Sequence, residues 1–286
     1  MMADYVESLK LRIGTFIAMA AALGYLATVP QAPSAAVLAL LFVTVLAASA
    51  GSGALNHYLD RDLDRLMRRT ARRPLPAGRI AQPWHVVALG VGLVAMAIAL
   101  ALWTLHPLVA LHVFLGAFTY VVVYTIWLKR RSWLNVVVGG LAGSFAVLGG
   151  GSAARPELCL PPVIFAVVLF LWSPTHFWSL GIAYKDEYAG ARIPMLPVVK
   201  GETRTARSIL WHAVALVLTA LLPASLGLLG VVYASVTALG GLYLLVRVVR
   251  LVARPGDRGR ALHAFHASNV WLLLVFVGVL VEVLRR

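Results

Sequence analysis

Nine separate runs of apolar residues, each long enough to cross a bilayer, leave this chain few ways to fold. They fall at about 13–30, 35–55, 84–104, 107–128, 133–151, 161–183, 209–229, 231–249 and 265–284. A helix needs about 20 apolar residues to span the hydrocarbon core. The runs are continuous rather than alternating, which argues against a transmembrane barrel. Because 61% of the residues are hydrophobic and only 13% charged, no soluble domain fits between the runs. The expected fold class is all-α and integral to the membrane. It is a nine-transmembrane-helix bundle forming one domain over 1–286, with a cytosol-facing polar cap over an apolar cavity.

Charge sets the orientation. Of the 25 Lys and Arg, all but Arg155, Arg285 and Arg286 fall in segments that alternate onto one side of such a bundle. Cytoplasmic loops carry the excess of positive charge, so the N-terminus is expected in the cytosol and the C-terminus outside, across the plasma (inner) membrane. The net charge of +14 is then accounted for by loops facing anionic membrane lipid, and implies no nucleic acid. The opening "MMADYVESLKLR" carries both signs and no small-residue cleavage site follows it, so the first span is expected to be retained. The single cysteine, Cys159, allows no internal disulfide and makes no metal motif; it reads as a loop residue. Gly139 and Gly143, four apart in "GGLAG", suggest a close helix contact.

The acid of the chain is concentrated in "LNHYLDRDLDRLMRRTARRPLPAGRI" (55–80). At roughly 100° per residue, Asn56, Asp60 and Asp64 share one helix face with His57 and, one turn deeper, the gap left by Gly53. Asp62 points the other way. A plain solvated cap would alternate its signs at i,i+4, yet Asp60–Asp64 and Arg61–Arg65 are like-charged pairs, which destabilise a helix slightly. Carboxylates converging with an amide oxygen are hard ligands suited to Mg²⁺, which commonly shares its shell with phosphate oxygens. Arg68, Arg69, Arg72 and Arg73 follow, and Arg matches the fork geometry of phosphate. Lys129 stands at the same membrane boundary and can reach a diphosphate. Tyr120 and Tyr124, four apart, can line the cavity. The stretch therefore reads as a metal–diphosphate site facing an oily cavity, with a lipid diphosphate as substrate.

The pattern N-x-x-x-D-x-x-x-D at Asn56, Asp60 and Asp64 resembles the first motif of the UbiA-type intramembrane prenyltransferases, a family of nine-helix bundles. "DRDLDRLMRRTARRPLPAGRI" (60–80), "YTIWLKRRSWLNVVVGGLAG" (124–143) and "SPTHFWSLGIAYKDEYAGARIPMLPVVKG" (173–201) are similar to the haem O synthase (protoheme IX farnesyltransferase) branch of that family. The resemblance implies Mg²⁺ as cofactor and farnesyl diphosphate and haem B as substrates. The farnesyl group joins a vinyl side chain, water adds as a hydroxyl, and haem O for a respiratory oxidase is the product, with a downstream haem A synthase as a further partner. It also implies a second signature after the sixth span. There Asp186 and Glu187 are expected to join the metal set, Asp186 with a catalytic share, Lys185 and Lys200 to touch diphosphate, and Tyr188 to touch substrate. The superfamily often carries D-x-x-x-D at this second site; here the residue four after Asp186 is Gly190. Arg192 stands where a small or polar residue is expected.

Within "SPTHFW", His176 follows Pro174 in the sixth span. An intramembrane His is a functional candidate by default, here as a haem ligand or a hydrogen-bond donor to the acceptor, and His57 is a second substrate contact. His112 and His212 are expected to pack and bond the backbone; His85, His106, His263 and His266 lie near wet span ends. Trp127, Trp133, Trp172 and Trp178 read as an interfacial belt. Two other readings compete: a prenyltransferase acting on a quinone precursor or another lipid acceptor, and a membrane transporter. Transporters place ionisable residues near the midplane, at broken helices, whereas these acids sit at span ends.

Overall fold

The computed structural model describes residues 2–29 and 32–285. Pro30, which closes the first expected span, and Arg286 lie outside them. Among the described residues nine helices are long and apolar enough to cross a membrane: α1 Leu11–Thr28, α2 Ala35–Leu59, α3 Trp84–Thr104, α4 Pro107–Leu128, α5 Asn135–Ala154, α6 Leu160–Ala183, α7 Glu202–Ser225, α8 Val231–Ala253 and α9 Arg258–Leu284. No strand occurs among them. Short helices at Met2–Ser8, Arg61–Arg65, Lys185–Gly190 and Leu196–Lys200 cluster at one end of the bundle, together with the acidic motifs.

Local chemistry fixes the ends. The Ser34 side chain accepts from Val37 N at the start of α2 and Asp257 from Arg260 N at the start of α9, each satisfying an otherwise orphaned donor. Pro107 and Pro161 occupy first-turn positions of α4 and α6, where a missing N–H does no harm. Glu282 reaches from α9 to accept from Val232 N (3.0 Å) and Tyr233 N (3.2 Å), capping α8 across a helix interface. The expected spans match closely except the ninth, which begins at Arg258 instead of 265, and the seventh. That helix begins at Glu202, because "ETRTARS" continues the helix beyond the apolar window, and it ends near Gly227, whose φ of 70° stops propagation.

Consecutive helices pack side by side, and α1 lies among α2, α5, α6 and α9. Two apolar clusters result. One joins α1 to α2, α3 and α4 through Ala18, Leu41, Ala97 and Val109. The other joins α1 to α5–α9 through Leu23, Val147, Phe165, Ile209, Leu244 and Val275. Leu, Val and Trp side chains cover the outer surface, Trp103 being 87% exposed, as suits a solvent of lipid. The closest helix crossing is not at the Gly139/Gly143 pair. A Cβ on Gly24 would stand 2.0 Å from the Val147 carbonyl oxygen, and one on Gly150 would stand 1.8 Å from that of Ala21, so α1 and α5 meet backbone to backbone. Gly143 meets only the Leu169 side chain, at an ordinary 3.7 Å.

The last ten residues of α4, Thr119–Leu128, are π-helical. Lys129 N donates to Tyr124 O at 2.8 Å, five residues back, and the Thr125 hydroxyl donates to Tyr120 O at 2.8 Å. Such widened turns are rare and concentrate at functional sites. This one borders the acidic motif.

Candidate active site

Asn56 lies in the last turn of α2, and Asp60 joins α2 to the short helix Arg61–Arg65. Asp60 N donates to Asn56 O (2.9 Å) and Asp64 N to Asp60 O (2.8 Å), so the i,i+4 register runs unbroken through the junction. The shared face expected from the sequence is present: Asn56, His57, Asp60 and Asp64 are all buried, while the Asp62 side chain is 64% exposed.

Each buried acid has a cation. Lys129 pairs with Asp60 Oδ2, and Arg73 Nη1 donates to Asp64 Oδ2 at 2.7 Å. Asp60 Oδ1 is buried with no partner. Asn56 Nδ2 donates to Asp60 Oδ2 (2.7 Å) and to Thr125 Oγ1 (2.9 Å), the residue that the π-helical segment turns inward. The amide oxygen of Asn56 accepts from Lys10 Nζ. In this arrangement the Asn56 oxygen faces an ammonium and its NH₂ orients Asp60.

Lys10 is the residue that sequence reasoning missed, having read it only as a topogenic charge. It links the Met2–Ser8 helix to α1 with a left-handed backbone (φ 51°, ψ 40°), a strained conformation for a non-glycine residue. A Cβ on Gly53 would stand 2.9 Å from Leu9 O, so the gap on the α2 face receives this backbone and lets Lys10 turn inward. Burial, reinforced by the Arg73 charge, lowers the Lys10 pKa to about 7, against the opposing pull of Asp60 and Asp64.

The arginines divide. Arg73 is half-buried in the site, whereas Arg68 and Arg72 are exposed. Arg69 is exposed at its rim, its guanidinium 5.5 Å from the Tyr184 ring centre. Continued helix would place Arg68 beside Asp64 at i,i+4; the chain instead turns through Thr70–Gly78 and brings Arg73 back. Tyr120 and Tyr124 stack with their ring centres 5.7 Å apart. Tyr188 is buried, which raises its pKa, while Arg69 and Lys129 nearby pull the other way.

The second acidic signature sits beside the loop that follows the first. Asp186 is exposed. Glu187 accepts from Arg69 N at 3.3 Å, tying the two motif loops together. Lys185 pairs with Glu202 at 3.3 Å, and Lys200 is exposed. Among the described residues no three His, Cys, Asp or Glu converge as a metal cluster; the helix Lys185–Gly190 exposes Asp186, half-buries Glu187 and buries Tyr188.

His176 lies on the α6–α9 seam. Its Nδ1 is 2.9 Å from Ser268 Oγ, and its ring sits between Trp172 (4.3 Å) and Phe265 (4.2 Å). Both ring faces are covered by the protein, by Trp172 on one side and Phe265 on the other. Trp172 donates to Ser268 O (2.9 Å) and Trp178 is buried against His212, so these two pack inside the bundle, whereas Trp127 is exposed. His112 and His212 bond backbone carbonyls four residues back. His57 is 1% exposed, with neither ring nitrogen partnered.

The model of the UbiA prenyltransferase family matches residues 17–270. Protoheme IX farnesyltransferase 2 of Paramagnetospirillum magneticum is 49% identical over 277 residues, covering 96% of this chain and 94% of that protein. Protoheme IX farnesyltransferase of Azorhizobium caulinodans is 38% identical, covering 99% and 92%. Among solved structures, a UbiA homolog from Archaeoglobus fulgidus bound to DMAPP and Mg²⁺ superposes with a TM-score of 0.70 at 16% identity, covering 97% of this chain and 99% of that one. A digeranylgeranylglyceryl phosphate synthase gives 0.82 at 18%, covering 100% and 99%. At these identities the structures speak to the fold alone.

Proposed function

The chain belongs to the UbiA prenyltransferase family, and on that premise we propose that it transfers the farnesyl group of farnesyl diphosphate to a vinyl group of haem B. Water adds in the same reaction, giving haem O and diphosphate. The observation that carries the site is Asp60: one oxygen is held by Lys129 and Asn56, and the other is buried and unpartnered. Leaving a buried carboxylate oxygen unsatisfied is unfavourable, and a hard cation is the partner that suits it. Asp60 and Asp64 would hold one Mg²⁺, which would supply charge for a diphosphate.

When bound, Mg²⁺ supplies charge neutralisation to the departing diphosphate. The chain does the rest. Asn56 fixes the direction of the Asp60 carboxylate. Lys10, Lys129 and Arg73 place three positive charges around the two acids, and Arg69 adds a fourth at the rim. A diphosphate arriving there replaces carboxylates as the partner of these cations. The stacked faces of Tyr120 and Tyr124 suit an allylic cation, which forms as the C1–O bond breaks. The terminal vinyl carbon attacks C1, and water adds to the benzylic-type cation left beside the porphyrin and loses a proton. No protein nucleophile is required.

Further parts of this reading rest on charge asymmetry and the relatives' names. The charged end faces the cytosol across the plasma (inner) membrane, residues 1–286 act as one domain, and haem O passes to a haem A synthase. The test is product analysis. Membranes carrying the chain, given haem B and farnesyl diphosphate, yield a haem with the hydroxyethylfarnesyl mass increment. A prenylated quinone precursor made in its place would overturn the reading.

A further inference from the structure

A cavity of about 380 Å³ opens beside the acidic cluster. The Met2–Ser8 helix, the start of α1, His57 of α2 and Arg73 form its walls. Lys10, Arg12 and Arg73 bring three cations to it, while Leu11 and Ile13 give it an apolar lip. One acid, Glu7, also borders it, but its Oε2 accepts from Arg79 at 2.9 Å. Arg12 has no carboxylate partner among the described residues. Behind this rim stands His57, buried, with both nitrogens unpartnered. The cleft shares Lys10, Arg73 and His57 with the surroundings of the acidic cluster, and Val6, Glu7, Leu11, Arg12 and Ile13 are its own.

Resting on the proposed haem reading, we propose that this cleft binds the propionate carboxylates of the porphyrin acceptor. Haem B is apolar across its faces and dianionic at one edge, and it must present its vinyl groups to farnesyl C1 beside Asp60. Burying a carboxylate unpaired near lipid is strongly unfavourable. A basic rim with an apolar lip, joined to the reaction centre through two shared cations, supplies what that edge lacks. The volume lies near the lower limit for small-molecule sites, about 300–1,000 Å³, so it takes the carboxylate edge and leaves the vinyl edge beside Asp60. Arg12 becomes a specificity-determining residue that touches no reacting atom.

The test compares haem B with its dimethyl ester, whose propionates carry no charge. Purified protein in detergent is titrated by the Soret band, and KM and kcat are read with both acceptors. Arg12→Gln is expected to weaken haem B binding and raise its KM about tenfold, the loss of one charge-assisted bond. The KM for farnesyl diphosphate and kcat stay level. Arg12→Lys retains most of the affinity. The ester binds wild type and Arg12→Gln equally, and both more weakly than haem B binds wild type. Equal binding of haem B and ester by wild type overturns the proposal. So does an Arg12→Gln defect expressed in farnesyl diphosphate, which assigns the cleft to the diphosphate, or one equal for both acceptors, which assigns it to lipid headgroups. The titration needs no turnover, so absence of haem O from the wild type speaks against the function reading without deciding this one.

Discussion

The Lys10 ammonium donates to the amide oxygen of Asn56, 46 residues away in sequence, and through that amide fixes the carboxylate of Asp60. A residue that ends the N-terminal segment is thereby built into the centre of the site. Lys10→Met should cut kcat/KM for farnesyl diphosphate by about 10²-fold or more, because the Asn56 oxygen is left buried and unpaired and one cation is lost. Lys10→Arg should recover part of it. Steady-state kinetics in detergent check this; a Lys10→Met enzyme with wild-type constants would show that the contact is ornamental.

Asp60→Asn and Asp64→Asn should each lower turnover by about 10²–10³-fold, the scale for losing a group that stabilises developing charge. The proteins should still insert and elute as wild type. Asp62→Asn, on the exposed face, should stay within about twofold. Equal losses at 60 and 62 would contradict the buried-face geometry.

Magnesium removal should behave in the same way. Chelation by EDTA should stop product formation, and Mg²⁺ should restore it in wild type but not in Asp60→Asn. Full activity after exhaustive chelation would remove the metal from the account.

The α1–α5 crossing should be intolerant of bulk. Gly24→Leu or Gly150→Leu forces two backbones apart and should lower the detergent melting temperature by several degrees, or prevent folding. Gly92→Ala, which meets nothing within 4 Å, should leave it unchanged. At Arg192, whose φ is 53°, Arg192→Asn should raise stability by about 0.5–1 kcal/mol, since Asn tolerates the left-handed region.

His176→Ala should loosen the α6–α9 seam, lowering thermal stability by about 1–3 kcal/mol, and leave the KM for haem B within about threefold. A variant of wild-type stability that has lost haem affinity would return His176 to the substrate.

Much of this was legible in the chain because membrane physics leaves large marks. Apolar length located nine helices, and the spacing of Asn56, Asp60 and Asp64 gave the buried face, with Asp62 correctly outside it. What escaped depended on chain reversal or on backbone geometry without a side-chain signature. The turn after Thr70 selects Arg73 over Arg68 and Arg72. The π-helical stretch aims Thr125 at Asn56, although "TYVVVYTIWL" reads as an ordinary apolar helix. The left-handed Lys10 is concealed in a segment whose charges look topogenic. The helix Lys185–Gly190 rotates Asp186 outward and Tyr188 inward, which "KDEY" alone does not disclose. Arg192 was flagged as out of place, and its positive φ supplies the reason.

The most direct test of the central claim gives the purified chain Mg²⁺ and farnesyl diphosphate in H₂¹⁸O, with haem B and a quinone precursor present together at equal concentration. Mass spectrometry is expected to find haem O carrying one ¹⁸O in its new hydroxyl, with the quinone precursor unprenylated and no product from Asp60→Asn. Prenylated quinone precursor with unchanged haem B would contradict the account.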